Sequence, residues 1–242
     1  MEIVCTIGPA TFNPSMIRML RCAGVTVFRL NLSHTRTLEE IDEFVKMVDI
    51  ESSAVKCLDT HGMKFRSNHQ NAPKPPFTIF DDRAMKRGAE ISIDQIAVSF
   101  AHNEESIQKA RELSKAQIII AKIEDKIGFE HKTRIIDAAD IILIDRGDLS
   151  RSVPLEEIPR YTREIITTCK GMNTPVWVAT NLLESMVNSP TPTTGEVNDI
   201  ATLIKLGVDG LVLAAETAIG KYPIQCVEFV RNMAEMYEGE NA

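Results

Sequence analysis

Short runs of β-branched and apolar residues alternate along the whole chain with stretches whose apolar positions recur at helical spacing. The runs fall at residues 3-8, 25-31, 54-59, 95-100, 117-123, 140-145, 175-180 and 208-214, eight in all. Two of them contain wholly apolar stretches, Ile118-Ile119-Ile120-Ala121 and Ile141-Ile142-Leu143-Ile144, as strands covered on both faces do. The helical stretches include 14-22, 37-49, 103-115, 156-171 and 193-206, several opened by a capping residue such as Asn13, Thr37 or Asn103. Asn13 followed by Pro14 joins a cap to a first-turn proline. Only 67-80, SNHQNAPKPPFTIF, breaks the rhythm, and its Pro and Asn content predicts a loop.

Alternating strands and helices predict βα units around a parallel sheet. Eight such units in 242 residues fit a single (β/α)8 TIM barrel spanning 1-242, a fold that typically takes about 250 residues. An open doubly wound sheet would normally carry a Gly-rich phosphate loop after its first strand, whereas here that strand runs into Gly8-Pro9-Ala10.

Composition narrows the function classes. A formal net charge of −7 argues against a general nucleic-acid binder, which needs a concentrated positive surface. No apolar run approaches the roughly 18 residues of a membrane span, and the N-terminus, with Glu2, lacks a basic leader region. A cytoplasmic protein is therefore expected. Cys5, Cys22, Cys57, Cys169 and Cys226 are odd in number and form no CxxC pair, which fits a reducing compartment and buried structural thiols.

Barrel enzymes place their working groups at the C-terminal ends of the strands. Polar residues close one apolar strand after another here: Arg29, Asn31 and Ser33 after the second, Asp59 and Thr60 after the third, Lys122 and Glu124 after the fifth, Arg146 and Asp148 after the sixth, Thr180 after the seventh and Glu216 after the eighth. Singly, Lys122 with Glu124 reads equally well as an ion pair at the barrel mouth, and Asp148 as a helix cap. Together, two carboxylates beside a Lys and two Arg suit a hard divalent cation with an anionic ligand, because Mg2+ takes one or two carboxylates and fills its remaining positions with water or substrate oxygens.

The segments IVCTIGPAT, FRLNLSH, LDTHGMKFR, AKIED, DRGDLS, PLEEIP, ATNLLESMVNSPTPTTGEVND and AAETAIGKYP resemble, in order, the successive blocks of the pyruvate kinase barrel. The resemblance implies Glu124 and Asp148 as ligands of Mg2+ or Mn2+, and Lys122 as the cation that stabilises an enolate or a transferring phosphoryl group. It implies that Arg29 holds a phosphate, and that Gly147, Asp148 and Thr180 hold the carboxylate of a keto acid or enol phosphate. Asn31, Ser33, Asp59 and Thr60 would line a monovalent-cation region, with Lys64 standing where potassium-dependent members carry Glu, so that its ammonium replaces potassium. His34 and Arg66 match the nucleotide side.

The chain also departs from the family pattern. Ala214 and Ala215 replace a Ser and a Gly, removing a hydroxyl associated with proton delivery. The loop 67-80 stands where the family inserts its lid domain, and the chain ends just after the GKYP helix, without the family's C-terminal domain. The expectation is a Mg2+-dependent enzyme acting on phosphoenolpyruvate or pyruvate, with phosphoryl transfer as one outcome. A lyase of aldolase or oxaloacetate decarboxylase type using the same enolate site, and a non-catalytic keto-acid sensor, are the alternatives. A homodimer, or a partner chain supplying the lid, are the associations left open.

Overall fold

All eight expected strands form, and they close on themselves. The computed structural model describes residues 1–51, 54–62 and 76–238. In chain order the elements are β1 (Glu2–Ile7), α1 (Pro14–Ala23), β2 (Val27–Asn31), α2 (Leu38–Glu51), β3 (Val55–Asp59), α3 (Ile79–Glu90), β4 (Gln95–Val98), α4 (Glu104–Ser114), β5 (Ile118–Ile123), α5 (Lys126–Glu130), α6 (Lys132–Ala138), β6 (Ile141–Asp145), α7 (Arg146–Leu149), α8 (Ile158–Gly171), β7 (Val176–Ala179), α9 (Thr194–Lys205), β8 (Gly210–Leu213), α10 (Ala215–Ala218) and α11 (Pro223–Glu238). Every strand pairs in parallel with its sequence neighbour, and β1 pairs with β8, giving a closed (β/α)8 barrel.

The alternation of side chains along each strand sorts the residues into two cores. Val4, Val27, Cys57, Ala97, Ile120, Leu143, Trp177 and Val212 pack together inside the barrel. Their neighbours in sequence, among them Cys5, Phe28, Leu58, Ile96, Ile119, Ile142, Val178 and Leu211, belong to the larger core beneath the helices. Fully burying a side chain such as Phe28 or Ile119 is worth roughly 1.5–3 kcal/mol. Two residues further along six of the eight strands, the inward position becomes Thr6, Arg29, Asp59, Ser99, Lys122 or Asp145, polar or charged yet all buried, while β7 and β8 reach Ala179 and Ala214 there. The barrel is thus apolar in its middle and ionic at its C-terminal mouth.

Local signals place the helices. Asn13 and Asn103 accept the N–H groups of Met16 and Ser106, capping α1 and α4 as expected. The expected loop at 67-80 needs correction at its end. Thr78 and Asp81 form a capping box, so Ile79 and Phe80 already belong to α3, while 67–75 lie outside the described residues. Asp81 also accepts the N–H groups of His61 (2.7 Å) and Gly62 (3.1 Å), so one buried carboxylate ties the exit of β3 to the start of α3. The cysteine expectation also needs correction. Cys5, Cys57, Cys169 and Cys226 are buried, but Cys22 is exposed because it lies on the outer face of α1. No helix among the described residues is long and apolar enough to cross a membrane.

Candidate active site at the barrel mouth

Lys122 is the hub of the mouth. Its Nζ lies 3.0 Å from Glu124, 3.3 Å from Asp59 and 3.4 Å from Asp145, and it donates to Ser99 Oγ at 3.1 Å. Burial disfavours the ammonium, but the nearby charges of Asp59, Glu124 and Asp145 outweigh it and raise its pKa above the ordinary lysine value. Lys122 is therefore a fixed positive charge and hydrogen-bond donor, not a base. Opposite it, Arg29 forms a close two-nitrogen ion pair with Asp59 and donates to Thr6 Oγ1 at 2.7 Å. These three contacts leave part of the guanidinium's five-donor capacity unused.

Glu124, Asp145 and Asp148 each offer a carboxylate oxygen, and the three oxygens lie within 4.8 Å of one another. Glu124 Oε1 accepts the Phe100 N–H at 2.7 Å. The other oxygen, Oε2, is buried and forms no hydrogen bond among the described residues, its neighbour being the Lys122 ammonium at 3.0 Å. Burial, only partly offset by Lys122, pushes the Glu124 carboxyl up to about 8. Asp145 moves the other way: burial opposes its charge, but Lys122, Arg29 and the Asp148 N–H keep its pKa below the ordinary aspartate value.

Two buried cations, Lys122 and Arg29, thus face four carboxylates, Asp59, Glu124, Asp145 and Asp148, an excess of two negative charges when all are ionised. Arg151, largely exposed, reaches Asp148 from outside at 3.0 Å. A buried carboxylate oxygen that accepts no hydrogen bond among the described residues, beside two further carboxylates and with that charge excess, fits one hard divalent cation such as Mg2+ or Mn2+.

The expected Glu124–Asp148 pair is therefore joined by Asp145, which the sequence reading passed over. Its signal was available: Asp145 shares the inward parity of Ile141 and Leu143. Ser99 was missed in the same way. The cap of α7 is also Asp145 and not Asp148, since its Oδ1 accepts the N–H groups of Gly147 (3.2 Å) and Asp148 (3.5 Å).

Thr180 completes this side. It holds φ +67°, unusual for a β-branched residue, and Asn181 follows at φ +53°. Arg146 fixes that turn by donating to the carbonyls of Thr180 (2.8 Å) and Asn181 (3.0 Å) while pairing with Asp199 at 2.7 Å. Such strain persists only where neighbours over-determine it. Thr180 Oγ1 thereby accepts the Gly147 N–H at 2.7 Å.

The remaining candidates divide. Asp59 and Thr60 meet around Ser99, which donates its N–H to Thr60 Oγ1 (3.0 Å) and its hydroxyl to the Thr60 carbonyl (2.6 Å). Asn31 instead accepts the Ser33 N–H at 2.9 Å in a turn after β2, where Ser33 is exposed. Lys64 and Arg66 lie outside the described residues. Glu216 is buried and accepts the N–H groups of Leu183 (3.1 Å) and Ala214 (2.8 Å), which makes it a tie between two loops and not part of the ionic cluster. Beside the cluster, a cavity of about 730 Å3 opens between the ends of β1, β2 and β8, sharing Thr6 and Arg29 with it and lined also by Pro9, Asn31, His34 and Ala215.

Comparison with known proteins agrees with this geometry. Residues 1–80 and 70–227 match the family described as pyruvate kinase, barrel domain, in two segments that meet at 70–80. The chain is 34% identical to a pyruvate kinase of Methylorubrum extorquens, over 98% of its own length and 68% of that protein's. It is 38% identical to pyruvate kinase isozyme G, chloroplastic, of Ricinus communis over 76% of the chain and 46% of the relative. With plastidial pyruvate kinase 3, chloroplastic, of Arabidopsis thaliana the figures are 30%, 96% and 57%. The chain spans about half the length of these two plant relatives. An eight-stranded parallel barrel with an ionic mouth, matched over most of its length by that family's barrel domain, belongs to the pyruvate kinase family.

Proposed function

We propose that the chain is a Mg2+-dependent enzyme of pyruvate kinase type that acts on phosphoenolpyruvate and pyruvate through an enolate, with phosphoryl transfer as its reaction. The observation that carries this reading is Lys122, held protonated 3.0 Å from the buried second oxygen of Glu124, whose only neighbour of opposite charge among the described residues is that ammonium. Glu124 and Asp148 would hold the cation, which when bound would supply Lewis-acid polarisation of the substrate oxygen. Lys122 Nζ would donate to the oxygen on which enolate charge develops, a fixed charge in a dry site that needs no reorganisation as the reaction proceeds. Arg29, with spare donors and a place on the cavity wall, would neutralise a phosphate.

The cavity beside Arg29 has room for the nucleotide that phosphoryl transfer requires. His34 and, by the family resemblance, Arg66 would face the nucleotide there. The short connection between β3 and α3 takes the place of a lid, so nucleotide contacts would stay solvated and weaker than those to the keto acid. A partner chain or a second copy could supply the missing cover. Lys64 would stand in for potassium, and Lys64→Glu would then create a potassium requirement. A reducing, cytoplasmic setting fits five free cysteines.

Two measurements test the reading. Pyruvate formation from phosphoenolpyruvate with ADP should require Mg2+ and vanish in Lys122→Met. Exchange of the pyruvate methyl protons, followed by NMR with and without ATP, should also require Mg2+ and Lys122. An enzyme that consumes oxaloacetate, and neither forms pyruvate from phosphoenolpyruvate nor depends on ADP, would shift the assignment to a lyase.

A further inference from the structure

The groups that would hold a small carboxylate at this rim are already in use. Asp145 Oδ1 accepts the N–H groups of Gly147 at 3.2 Å, shared with Thr180 Oγ1 at 2.7 Å, and Asp148 at 3.5 Å, and lies 3.3 Å from Thr180 Oγ1. That hydroxyl has one proton to share between Asp145 and the Ala179 carbonyl, 2.6 Å away. The other Asp145 oxygen lies 3.4 Å from Lys122 Nζ. Two backbone N–H groups, a hydroxyl and an ammonium thus surround one carboxylate, sharing their protons between Asp145 and the neighbours Thr180 and Ala179. Asp145 is only 6% exposed, so it fills this cradle instead of approaching it from solvent. Across the cluster, Glu124 Oε2 is buried, accepts no hydrogen bond among the described residues and has only the Lys122 ammonium beside it. Glu124 thus keeps an oxygen with no hydrogen bond, while the place of a ligand carboxylate is filled by Asp145.

We infer that Asp145 is a specificity-determining residue whose side chain stands where a ligand's carboxylate would bind, so that a small carboxylate must displace it to enter. The competition is intramolecular. A tethered carboxylate acts at an effective concentration in the millimolar range or above, so millimolar ligands meet a rival already in place. The inference rests on the proposed function only for the identity of the ligand. Occupation of the cradle rests on the contacts of Asp145 alone.

Acetate and oxalate are the probes, titrated calorimetrically into the wild-type chain and its variants at Mg2+ concentrations shown separately to be saturating for each. Asp145→Ala empties the cradle and is expected to bind both at least tenfold more tightly than wild type. Asp145→Asn keeps an oxygen on the two N–H groups and is expected to stay close to wild type. Asp145→Ser, which retains a cap for α7 but no carboxylate, should reproduce the gain if Asp145→Ala does not fold. Equal affinities in wild type and the emptied variants overturn the inference. So does an Asp145→Asn gain as large as that of Asp145→Ala, because charge and not occupancy would then be the barrier. A tenfold gain for acetate, with oxalate binding no better than acetate, upholds the role of Asp145 and removes the enolate reading instead.

Discussion

Gly147 and Thr180 meet across the barrel mouth: the Gly147 N–H donates to Thr180 Oγ1 at 2.7 Å, and a methyl group at position 147 would stand 3.2 Å from that oxygen. Thr180 cannot retreat freely, because its φ of +67° is held by Arg146 through the carbonyl. Gly147→Ala is therefore expected to destabilise the chain by about 1–3 kcal/mol, as overpacking does, and to weaken ligand binding at the rim. Gly171→Ala is the control. Its added methyl meets nothing within 4 Å at the end of α8, so it should stabilise by roughly 0.5–1 kcal/mol. Urea denaturation of both variants checks the contrast.

Glu124 sets a pH dependence. Burial raises its pKa from 4.5 to about 8, so in the metal-free chain the stability linked to its proton is fully present below pH 4.5 and lost as pH rises through 8. Glu124→Gln should flatten stability across that window. Asp145, with a lowered pKa, acts in a separate acid range, contributing stability above the ordinary aspartate value of 3.8 that is lost as pH falls through its folded value. Below pH 8 the cation must also displace the Glu124 proton. Apparent Mg2+ affinity should then rise up to tenfold per pH unit toward 8, with proton release visible by calorimetry in buffers of different ionisation enthalpy. An affinity flat from pH 6 to 8 would contradict the raised pKa.

Removing the hub charge should separate metal binding from turnover. Lys122→Met nearly preserves volume but leaves Asp59, Glu124 and Asp145 facing one another without their shared cation. Loss of one partner of a buried ion pair costs about 3–5 kcal/mol, and the unbalanced carboxylates should bind a divalent cation more tightly than wild type does. The expected result is a variant destabilised without metal, largely rescued by Mg2+, and inactive. Weaker cation binding in Lys122→Met would show that the lysine organises the site in some other way.

Arg146 is expected to act at a distance from the chemistry. It donates to the Thr180 and Asn181 carbonyls and pairs with Asp199, which makes it a positioning residue for the left-handed turn. Arg146→Lys keeps the charge but loses the planar fork. Oxalate affinity should fall several-fold in Arg146→Lys and further in Arg146→Ala, with amide exchange at Thr180 accelerated, while Mg2+ affinity at Glu124 stays near wild type. An unchanged Thr180 exchange rate would mean that the turn holds itself.

Much of the site was legible before any coordinates, through its parity. Lys122 and Glu124 share a strand face, and their polar character at the end of the apolar run Ile118-Ile119-Ile120-Ala121 marks the barrel mouth. Asp145 and Ser99 obey the same parity, but each reads as an ordinary strand end until the sheet closes. What distinguishes Asp145 is the company it keeps, since Lys122 comes from β5 and Thr180 from beyond β7. Taken singly, Asp148 also offered itself as a helix cap, yet an N-cap is the residue before the first turn, and that is Asp145. Glu216 was placed with the rim by its position after β8, whereas its oxygens turn to the backbone of Leu183 and Ala214.

The sequence by itself determined the eight βα units, their order, the caps of α1 and α4 and the ionic character of the strand ends, because these depend on contacts within a few residues and on the two-residue period of a strand. Only the tertiary structure decided which of those polar ends share one site. Closure brings β3, β5 and β6 together around Lys122. It seats Asp145 in the cradle of Gly147 and Thr180 and buries Glu124 Oε2 beside the Lys122 ammonium. These outcomes depend on distances of about 3 Å between residues far apart in the chain, where a one-position change in register would turn each inward group outward.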